Sequence, residues 1–399
     1  MEFFTQFKNS ELIYIVLLFA LFVLPRYLQR FRLPSAITCV FLGFGSSVGL
    51  SLFAHDNTIG LLATFGIVAL FLFAGLEINF AELRTHALVL LQYIGFHLTG
   101  LAAVSYAAML VFDLPVRPAI LVALALLTPS AGFILDSLRE SHLDERERFW
   151  VRTKVIAIEL VALAALFAVV QSSSPTRFSI SLLVLIGLIA IVPLLLKFFA
   201  KVLLPYAPRS EFAFLLMLAV VCAFVTRELG VYYLVGAFVA GVAAQRFREE
   251  LPAMASEQML HAVELFASVF VPFYFFNAGL HLSREHFSVD ALLTGAAFLA
   301  IMIPVRMLWI GLHRKIALKE TFARGLRINI AMTPTLVFTL VIAGILRDTF
   351  EVSTSIFGGL IVYTLVNTLI PGFVLRIPPP DFDSPHISAV KTTQLQKGD

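Results

Sequence analysis

The chain has 399 residues, of which 59% are hydrophobic and only 14% are charged, and its formal net charge is +3. Because soluble domains carry about one quarter charged residues, this composition excludes a soluble globular protein and indicates an integral membrane protein. The small net charge gives no reason to expect a nucleic acid partner.

The hydrophobic segments are each about 20 residues long, which is the length a helix needs to cross a hydrocarbon core of about 30 Å. None shows the alternating pattern of a membrane barrel strand. The sequence therefore predicts an all-α polytopic membrane protein with about thirteen transmembrane helices, in chain order 11–28, 34–54, 58–79, 85–112, 117–137, 148–171, 178–199, 211–227, 231–246, 258–281, 287–312, 320–346 and 352–376.

The two ends of the chain are predicted to lie on opposite sides of the membrane. The N-terminal segment lacks a basic region and a cleavage site, so it is interpreted as a retained first helix. Loops after odd-numbered spans hold cation clusters, such as Arg26, Arg30 and Arg32, whereas loops after even-numbered spans carry single cations, such as Arg117. The positive-inside rule then places the N-terminus outside and the C-terminus, with a short polar tail at 377–399, in the cytoplasm.

The fifth and twelfth spans carry the same interruption, "TPS" at 128–130 and "TPT" at 333–335. A membrane domain over 10–376 then divides into two halves of six spans with one interrupted helix each. Because a linker helix separates the halves, corresponding helices are seven spans apart. This number is odd, so the two halves insert in opposite orientations, which is typical of secondary transporters with inverted repeats and crossed discontinuous helices. The predicted division is repeat one at 11–171, a linker helix at 178–199 and repeat two at 211–376.

The interruptions also carry oxygen atoms that suit a small cation. Pro129 and Pro334 cannot donate a backbone hydrogen bond, so each frees a carbonyl one turn earlier. Hydroxyl groups flank both prolines, on Thr128, Ser130, Thr333 and Thr335. Proline beside serine or threonine also bends membrane helices that bind nothing, but the paired placement favours ion binding near the bilayer midplane.

Few ionisable residues lie well inside the spans, where a charge costs about 2.5–3.5 kcal/mol on insertion scales. Glu159 is central in the sixth span, and Arg306 lies inside the eleventh. Lys154 and Arg327 are nearer the cytoplasmic ends, so their long side chains are expected to extend to the interface. Four other polar residues are expected to form hydrogen bonds between helices, namely His97, Asn277, Asn329 and Asn367.

Four segments together resemble the monovalent cation:proton antiporter superfamily, in its bacterial branch of sodium/proton antiporters and Kef-type potassium efflux transporters. Each motif alone is weak, but their order and spacing over most of the chain are specific. They are "FAGLEINFAELR" (73–84), "YYLVGAFVAGVAA" (232–244), "FVPFYFFNAGLHL" (270–282) and the long segment 305–343, which includes "AMTPTLVF".

The resemblance implies a homodimer in the bacterial inner (plasma) membrane, surrounded by lipid. In each protomer a core containing both broken helices moves against a dimerisation domain, in an elevator-like form of alternating access. Glu159 matches the family's essential acidic residue, Thr128 and Ser130 match its hydroxyl-bearing break, and Arg306 matches its basic residue. The expected ion- and proton-binding residues are Glu159, Thr128, Ser130, Thr333 and Thr335, with a monovalent cation at the first three. Arg306 is the expected charge partner, paired with a carboxylate or with a carbonyl of a broken helix.

The sequence departs from the family at two places. Ile158 precedes Glu159 where the family usually has a polar or acidic residue, and Thr333 and Thr335 flank the second proline where many relatives have charged residues. A single carboxylate predicts electroneutral exchange of Na⁺ or K⁺ for protons. The short tail predicts that the nucleotide-binding regulatory domain of Kef-type relatives is absent.

Other classes of function were compared with this interpretation. The sequence contains no GxxxxGK[ST] or HExxH motif, so neither an enzyme nor an ATP-driven pump is expected, and no cofactor beyond the transported ions. A sodium-coupled organic-anion symporter of related fold is an alternative, because Arg306, Arg327 and Lys154 could meet an anion. A second alternative is a non-transporting membrane sensor in which Arg306 permanently neutralises Glu159.

Overall fold

The computed structural model describes residues 11–53, 56–78, 80–134, 143–207, 210–230, 232–246, 257–317, 319 and 322–375. Within these ranges every regular element is a helix, as the composition and hydropathy predict. The predicted tail at 377–399 lies outside the described residues.

A helix occupies each of the predicted spans. The first half contains α1 (Glu11–Gln29), α2 (Ser35–Leu50), α3 (Asn57–Leu76), the short α4 (Phe80–Thr85), α5 (Ala87–Phe112), α6 (Val116–Leu127) and α7 (Glu145–Gln171). The predicted linker is α8 (Pro175–Phe198), which continues as one π-helical turn, Phe199–Leu203. The second half contains α9 (Glu211–Glu228), α10 (Tyr233–Arg246), α11 (Glu257–Leu280), a 3₁₀ turn (Arg284–Phe287), α12 (Val289–Ala317), α13 (Phe322–Ala331), α14 (Leu336–Phe350) and α15 (Thr354–Val374).

In the described ranges nine helices are long and apolar enough to cross a membrane, or ten if the bent pair α13 and α14 forms one span. Three of the predicted spans correspond to α2, α9 and α10, which are shorter or carry more charge. The predicted total of thirteen spans therefore stays a prediction, although the helices lie where the hydropathy places them.

The helices pack in two groups that cut across the two halves of the sequence. The scaffold bundle consists of α1 to α3 with α9 to α11, and the crossing bundle consists of α5 to α7 with α12 to α15. Each half thus contributes its first three spans to one bundle and its last three to the other. Helix α8 contacts α7 in one bundle and α9 and α10 in the other, so it connects them.

Glycines allow the close packing of the scaffold bundle. A Cβ atom on Gly75 of α3 would lie 2.5 Å from the carbonyl oxygen of Phe238, and one on Gly241 of α10 would lie 2.3 Å from that of Leu72. A Cβ on Gly279 of α11 would lie 2.1 Å from the carbonyl oxygen of Val40. Small residues of this kind let membrane helices approach closely, so the glycines of α3, α10 and α11 serve packing.

Two cavities lie at opposite ends of α15. One has a volume of about 340 Å³ and lies between the bundles, with Gly132 and Thr368 on the crossing side and Arg32 and Glu264 on the scaffold side. The other has a volume of about 400 Å³ and is lined by the turns at 112–118 and 350–356. The first cavity is at the end that the positive-inside rule assigns to the cytoplasm, because it contains the loop after α1.

Candidate functional site

The first interruption lies directly after α6, which ends at Leu127. Residues 128–130 have no helical assignment, and a helical turn resumes at 131–134. The second interruption separates α13, which ends at Ala331, from α14, which begins at Leu336, and the two segments are bent by 48°. The predicted discontinuities at Pro129 and Pro334 are therefore confirmed.

The two interruptions are in direct contact. The backbone N–H of Ser130 donates to the carbonyl oxygen of Pro334 at 2.9 Å, so one broken helix is hydrogen-bonded to the other at the crossing point. A bond of this kind requires both backbones to leave the helical pattern at the same place, because Ser130 would otherwise donate to its own helix. The crossing bundle is thus assembled around these two prolines.

The carbonyls that Pro129 frees are already hydrogen-bonded, which corrects the expectation that they are available to a cation. The Thr339 hydroxyl donates to the carbonyl oxygen of Ala125 at 2.7 Å, and the Tyr363 hydroxyl donates to that of Leu126 at 2.8 Å. Both hydroxyl-bearing residues belong to the second half of the chain. These two backbone oxygens are therefore engaged, whereas the side-chain oxygens of Thr128 and Ser130 are not.

Glu159 lies midway along α7, whose position is fixed at both ends. At the start, Asp144 and Glu147 form a reciprocal capping box, with hydrogen bonds of 2.7 and 3.0 Å. At the other end, the Arg117 guanidinium from α6 donates to the carbonyl oxygens of Val169 and Val170. The capping box stabilises the start of α7, and the Arg117 contacts hold its end against α6, the helix that leads to the first break.

The Glu159 side chain is 2% exposed, and its carboxylate interacts with the backbone N–H of Ala131, directly after the break. Its Oε2 atom is buried and has no hydrogen-bond partner. The hydroxyl oxygens of Thr128 and Ser130 are also buried and without partners, at 0% and 1% residue exposure. Buried polar atoms normally have partners, so unpartnered oxygens on two residues of the first break and on the carboxylate that contacts Ala131 point to a bound proton or ion at this place.

The hydroxyls at the second break are placed differently. The Thr333 hydroxyl donates to the carbonyl oxygen of Ile330 at 2.7 Å within its own turn. The Thr335 hydroxyl oxygen accepts from Asn367 and lies 3.0 Å from the Thr364 hydroxyl. Of the four predicted hydroxyls, only Thr128 and Ser130 therefore present unpartnered oxygens.

Arg306 lies at the second break and not beside the carboxylate. From α12, its guanidinium donates to the carbonyl oxygens of Met332 and Thr333, both at 2.7 Å, and to the Tyr363 hydroxyl at 3.1 Å. These carbonyls directly follow Ala331, the last residue of α13, where the helix dipole is negative. Within the described residues no ion pair joins Arg306 to Glu159, so the guanidinium compensates the broken helix end directly.

Lys154 was expected to extend to the membrane interface, and this expectation is wrong. Its side chain is fully buried, with Nζ 3.2 Å from Nδ1 of His313 and 4.5 Å from the centre of the Tyr93 ring. The Tyr93 ring on α5 and the His313 imidazole on α12 thus contact the ammonium group, and a cation against an aromatic face is stabilised when it is desolvated. Arg327, in contrast, is exposed.

The polar residues expected between helices have varied contacts. Asn367 donates to Thr335 and Asn329 donates to the carbonyl oxygen of Met307, both at 3.0 Å, as predicted for residues that join helices. His97 is buried, and its Nε2 atom has no partner. Tyr363 and Thr339, which reach the first break, were not identified from the sequence, because a tyrosine and a threonine in apolar spans give no signal of their distant partners.

The donor set consists of one carboxylate and two hydroxyls. In the part of the chain that the structure describes, no group of three or more His, Cys, Asp or Glu side chains is gathered as for a polyvalent metal ion. Oxygen donors with a single negative charge suit a singly charged cation, since one carboxylate balances one positive charge at a buried position.

Comparisons with known proteins place this geometry in context. The family model described as "Sodium/hydrogen exchanger, transmembrane" matches residues 15–378. The "Probable Na(+)/H(+) antiporter 3" of Methanocaldococcus jannaschii is 23% identical over 388 residues, covering 91% of this chain and 95% of that protein.

Among solved structures, the sodium proton antiporter MjNhaP1 from Methanocaldococcus jannaschii at pH 8 matches with a TM-score of 0.63 and 15% identity, covering 92% of this chain and 94% of that one. An electron microscopy structure of the same antiporter matches with a TM-score of 0.59 and 16% identity, covering 91% and 95%. The likeness confirms the predicted fold class.

Proposed function

This chain belongs to the sodium/hydrogen exchanger family, and we propose that it is a secondary transporter that exchanges Na⁺ or K⁺ for protons. Its 23% identical relative is named as a probable Na⁺/H⁺ antiporter, which favours Na⁺ as the cation. The expected location is a bacterial inner membrane, with the N-terminus outside and the C-terminus in the cytoplasm.

The observation that carries the proposal is the group of three buried, unpartnered oxygens on Glu159, Thr128 and Ser130. A carboxyl in such a place takes up a proton when no cation is present, since an uncompensated charge is costly there. When Na⁺ arrives, the carboxylate balances its charge and the two hydroxyls replace part of its water shell. Proton and cation therefore compete for Glu159.

This competition predicts electroneutral exchange. Ile158, next to Glu159, is fully buried and has no titratable group. The site then carries one proton in one direction and one monovalent cation in the other, so the two loaded forms have the same charge. Thr333 and Thr335 contribute indirectly in this proposal, by shaping the second break against which Ser130 is hydrogen-bonded.

The two bundles supply a route for alternating access. The cavity of about 340 Å³ separates them and reaches Gly132 and Phe133, directly beyond Ala131, whose N–H the Glu159 carboxylate contacts. We infer that the crossing bundle moves against the scaffold bundle and carries the site from this cytoplasmic cavity to the other side. A homodimer through the scaffold bundle fits the outer face of α1, where Ile15, Val16 and Phe19 are exposed.

The test is cation-driven proton flux in liposomes that contain the purified protein and a trapped pH indicator. A Na⁺ or K⁺ gradient is expected to drive proton movement that an imposed membrane potential does not change. Flux that follows the potential would contradict electroneutrality. Sodium uptake that requires an organic anion would support the symporter, and no flux with any cation would support the sensor.

The direct contacts of Arg306 bear on that sensor alternative. It requires Arg306 to neutralise Glu159, whereas the guanidinium is engaged with the carbonyls of Met332 and Thr333 and with Tyr363. The carboxylate keeps its Oε2 atom without a partner. This arrangement favours a transported ion at Glu159 over a permanent internal pair.

A further inference from the structure

At the first break, two backbone carbonyls that lack their usual partners accept from side chains instead. In a continuous helix Ala125 and Leu126 would accept from the N–H groups of residues 129 and 130. Pro129 has no N–H, and the N–H of Ser130 donates to Pro334 instead. Both carbonyls are nevertheless satisfied, by the hydroxyls of two residues that are far away in the sequence and fully buried.

These two hydroxyls determine where the last turn of α6 lies. Thr339 reaches Ala125 from α14 at 2.7 Å, and Tyr363 reaches Leu126 from α15 at 2.8 Å. Thr128 follows Leu126 by only two residues, so a shift of that carbonyl moves the Thr128 hydroxyl with it. A buried carbonyl that loses its donor is costly, so the backbone shifts towards another donor.

Tyr363 has a second contact that Thr339 lacks. Its hydroxyl accepts from the Arg306 guanidinium at 3.1 Å while it donates to Leu126. Since Arg306 also holds the carbonyls of Met332 and Thr333, one phenol connects both interruptions. The bond from Ser130 to Pro334 is a separate connection at the same crossing.

We propose that Thr339 and Tyr363 are positioning residues for the cation site at the first break. They act through the carbonyls of Ala125 and Leu126, not by contact with the ion, and they hold Thr128 and Ser130 in register with Glu159. This inference rests on the proposed function, because it assumes that Na⁺ binds at those three residues.

The experiment compares Thr339→Val and Tyr363→Phe with wild type in reconstituted liposomes. We expect each variant to raise the apparent KM for Na⁺ by about tenfold, while kcat stays within about twofold, because the ligands move but remain present. Thr339→Ser keeps a hydroxyl and should restore the wild-type KM. The Na⁺-dependent rise in the melting temperature of the purified protein should require correspondingly higher Na⁺ in the two variants.

The matched control is Thr226→Val. Thr226 is buried on α9 in the scaffold bundle, and its hydroxyl donates to the carbonyl of Cys222 on its own helix at 3.1 Å. This variant removes a comparable buried hydroxyl and should leave KM for Na⁺ unchanged. If Thr339→Val does not fold, Tyr363→Phe decides, since it retains the ring and its packing.

Two results separate failure of this inference from failure of the proposed function. Wild-type protein that neither exchanges Na⁺ nor is stabilised by it would overturn the proposed function and the inference with it. The other result is that the wild-type protein exchanges Na⁺ and is stabilised by it, while Thr339→Val and Tyr363→Phe have the same KM for Na⁺ as wild type or as Thr226→Val. This result would overturn only the positioning role.

Discussion

The two interruptions of the crossing bundle have nearly the same sequence, Thr-Pro-Ser and Thr-Pro-Thr, but different surroundings. At the first, the backbone carbonyls are satisfied by Thr339 and Tyr363, and the side-chain oxygens of Thr128 and Ser130 are unpartnered. At the second, the hydroxyls are engaged and the carbonyls are held by a guanidinium. The comparison teaches that a repeated motif supplies repeated geometry, whereas the neighbouring helices decide which copy offers ligands.

The charges near the two interruptions also favour cation binding at the first and not at the second. A carboxylate faces the first and Arg306 faces the second. A negative group attracts a cation, and a fixed guanidinium occupies the place at which one would bind to the carbonyls. We therefore expect substitutions at the first break to change ion binding and those at the second to change stability.

The largest expected effect is at the carboxylate. Glu159→Gln should abolish cation-dependent proton flux, because the amide neither releases a proton nor balances a cation, whereas Glu159→Asp should retain measurable exchange. Glu145→Gln, at the exposed start of the same helix, is the matched control and should exchange normally. The measurement is proton flux in liposomes, and wild-type flux in Glu159→Gln would place the proton carrier elsewhere.

Arg306→Ala should have the next largest effect, on stability. It removes the donor from two buried carbonyls and from Tyr363, so we expect the free energy of unfolding to fall by about 3 kcal/mol. Arg306→Lys should lose less, because an ammonium group can still serve one carbonyl. Thermal unfolding in detergent measures the change, with Arg177→Ala at the exposed start of α8 as the control. An unchanged melting temperature would mean that the second break does not depend on the guanidinium.

The hydroxyls provide the sharpest test of the comparison. Thr128→Val and Ser130→Ala should each raise the apparent KM for Na⁺ by about tenfold, as expected for loss of one ligand to a buried charge. Thr333→Val and Thr335→Val should change KM by less than about threefold and lower the melting temperature instead. Equal increases in KM at both breaks would contradict the assignment of the site to the first break alone.

The smallest expected effect concerns the contact between Thr335 and Thr364. Because the two hydroxyls lie 3.0 Å apart, loss of both should cost less stability than the sum of the single losses. A double-mutant cycle with Thr335→Val and Thr364→Val should show a coupling of about 0.5–1 kcal/mol. Additive losses would show that Asn367 alone holds the Thr335 hydroxyl.

The sequence predicts the fold well because the bilayer imposes strong rules. Hydropathy locates a helix at every predicted span, and proline in an apolar run locates both interruptions. Glu159 stands out because an uncharged helix is the norm at that depth. The residues that this approach identifies are those whose own chemistry is unusual for the membrane.

What the sequence does not predict are partners from the other half of the chain. Thr339 and Tyr363 are ordinary in apolar helices, and only the crossing geometry brings them to Ala125 and Leu126. Lys154 was misjudged for the same reason, because its burial depends on Tyr93 and His313 from two other helices. Sequence spacing reports neighbours along one helix but not across a bundle.

The contact between Tyr363 and Leu126 spans 237 residues, and this separation has a consequence for biosynthesis. While the ribosome is still making the second half, the newly inserted α6 has no hydroxyl for the carbonyls of Ala125 and Leu126. Until Pro334 is made, the N–H of Ser130 can donate to the carbonyl of Leu126 in its own helix, so the carbonyl of Ala125, opposite Pro129, is the group that lacks a donor. Unpaired backbone groups are not tolerated in lipid, so this segment has to remain near water or the insertion machinery until the last helix has been translated.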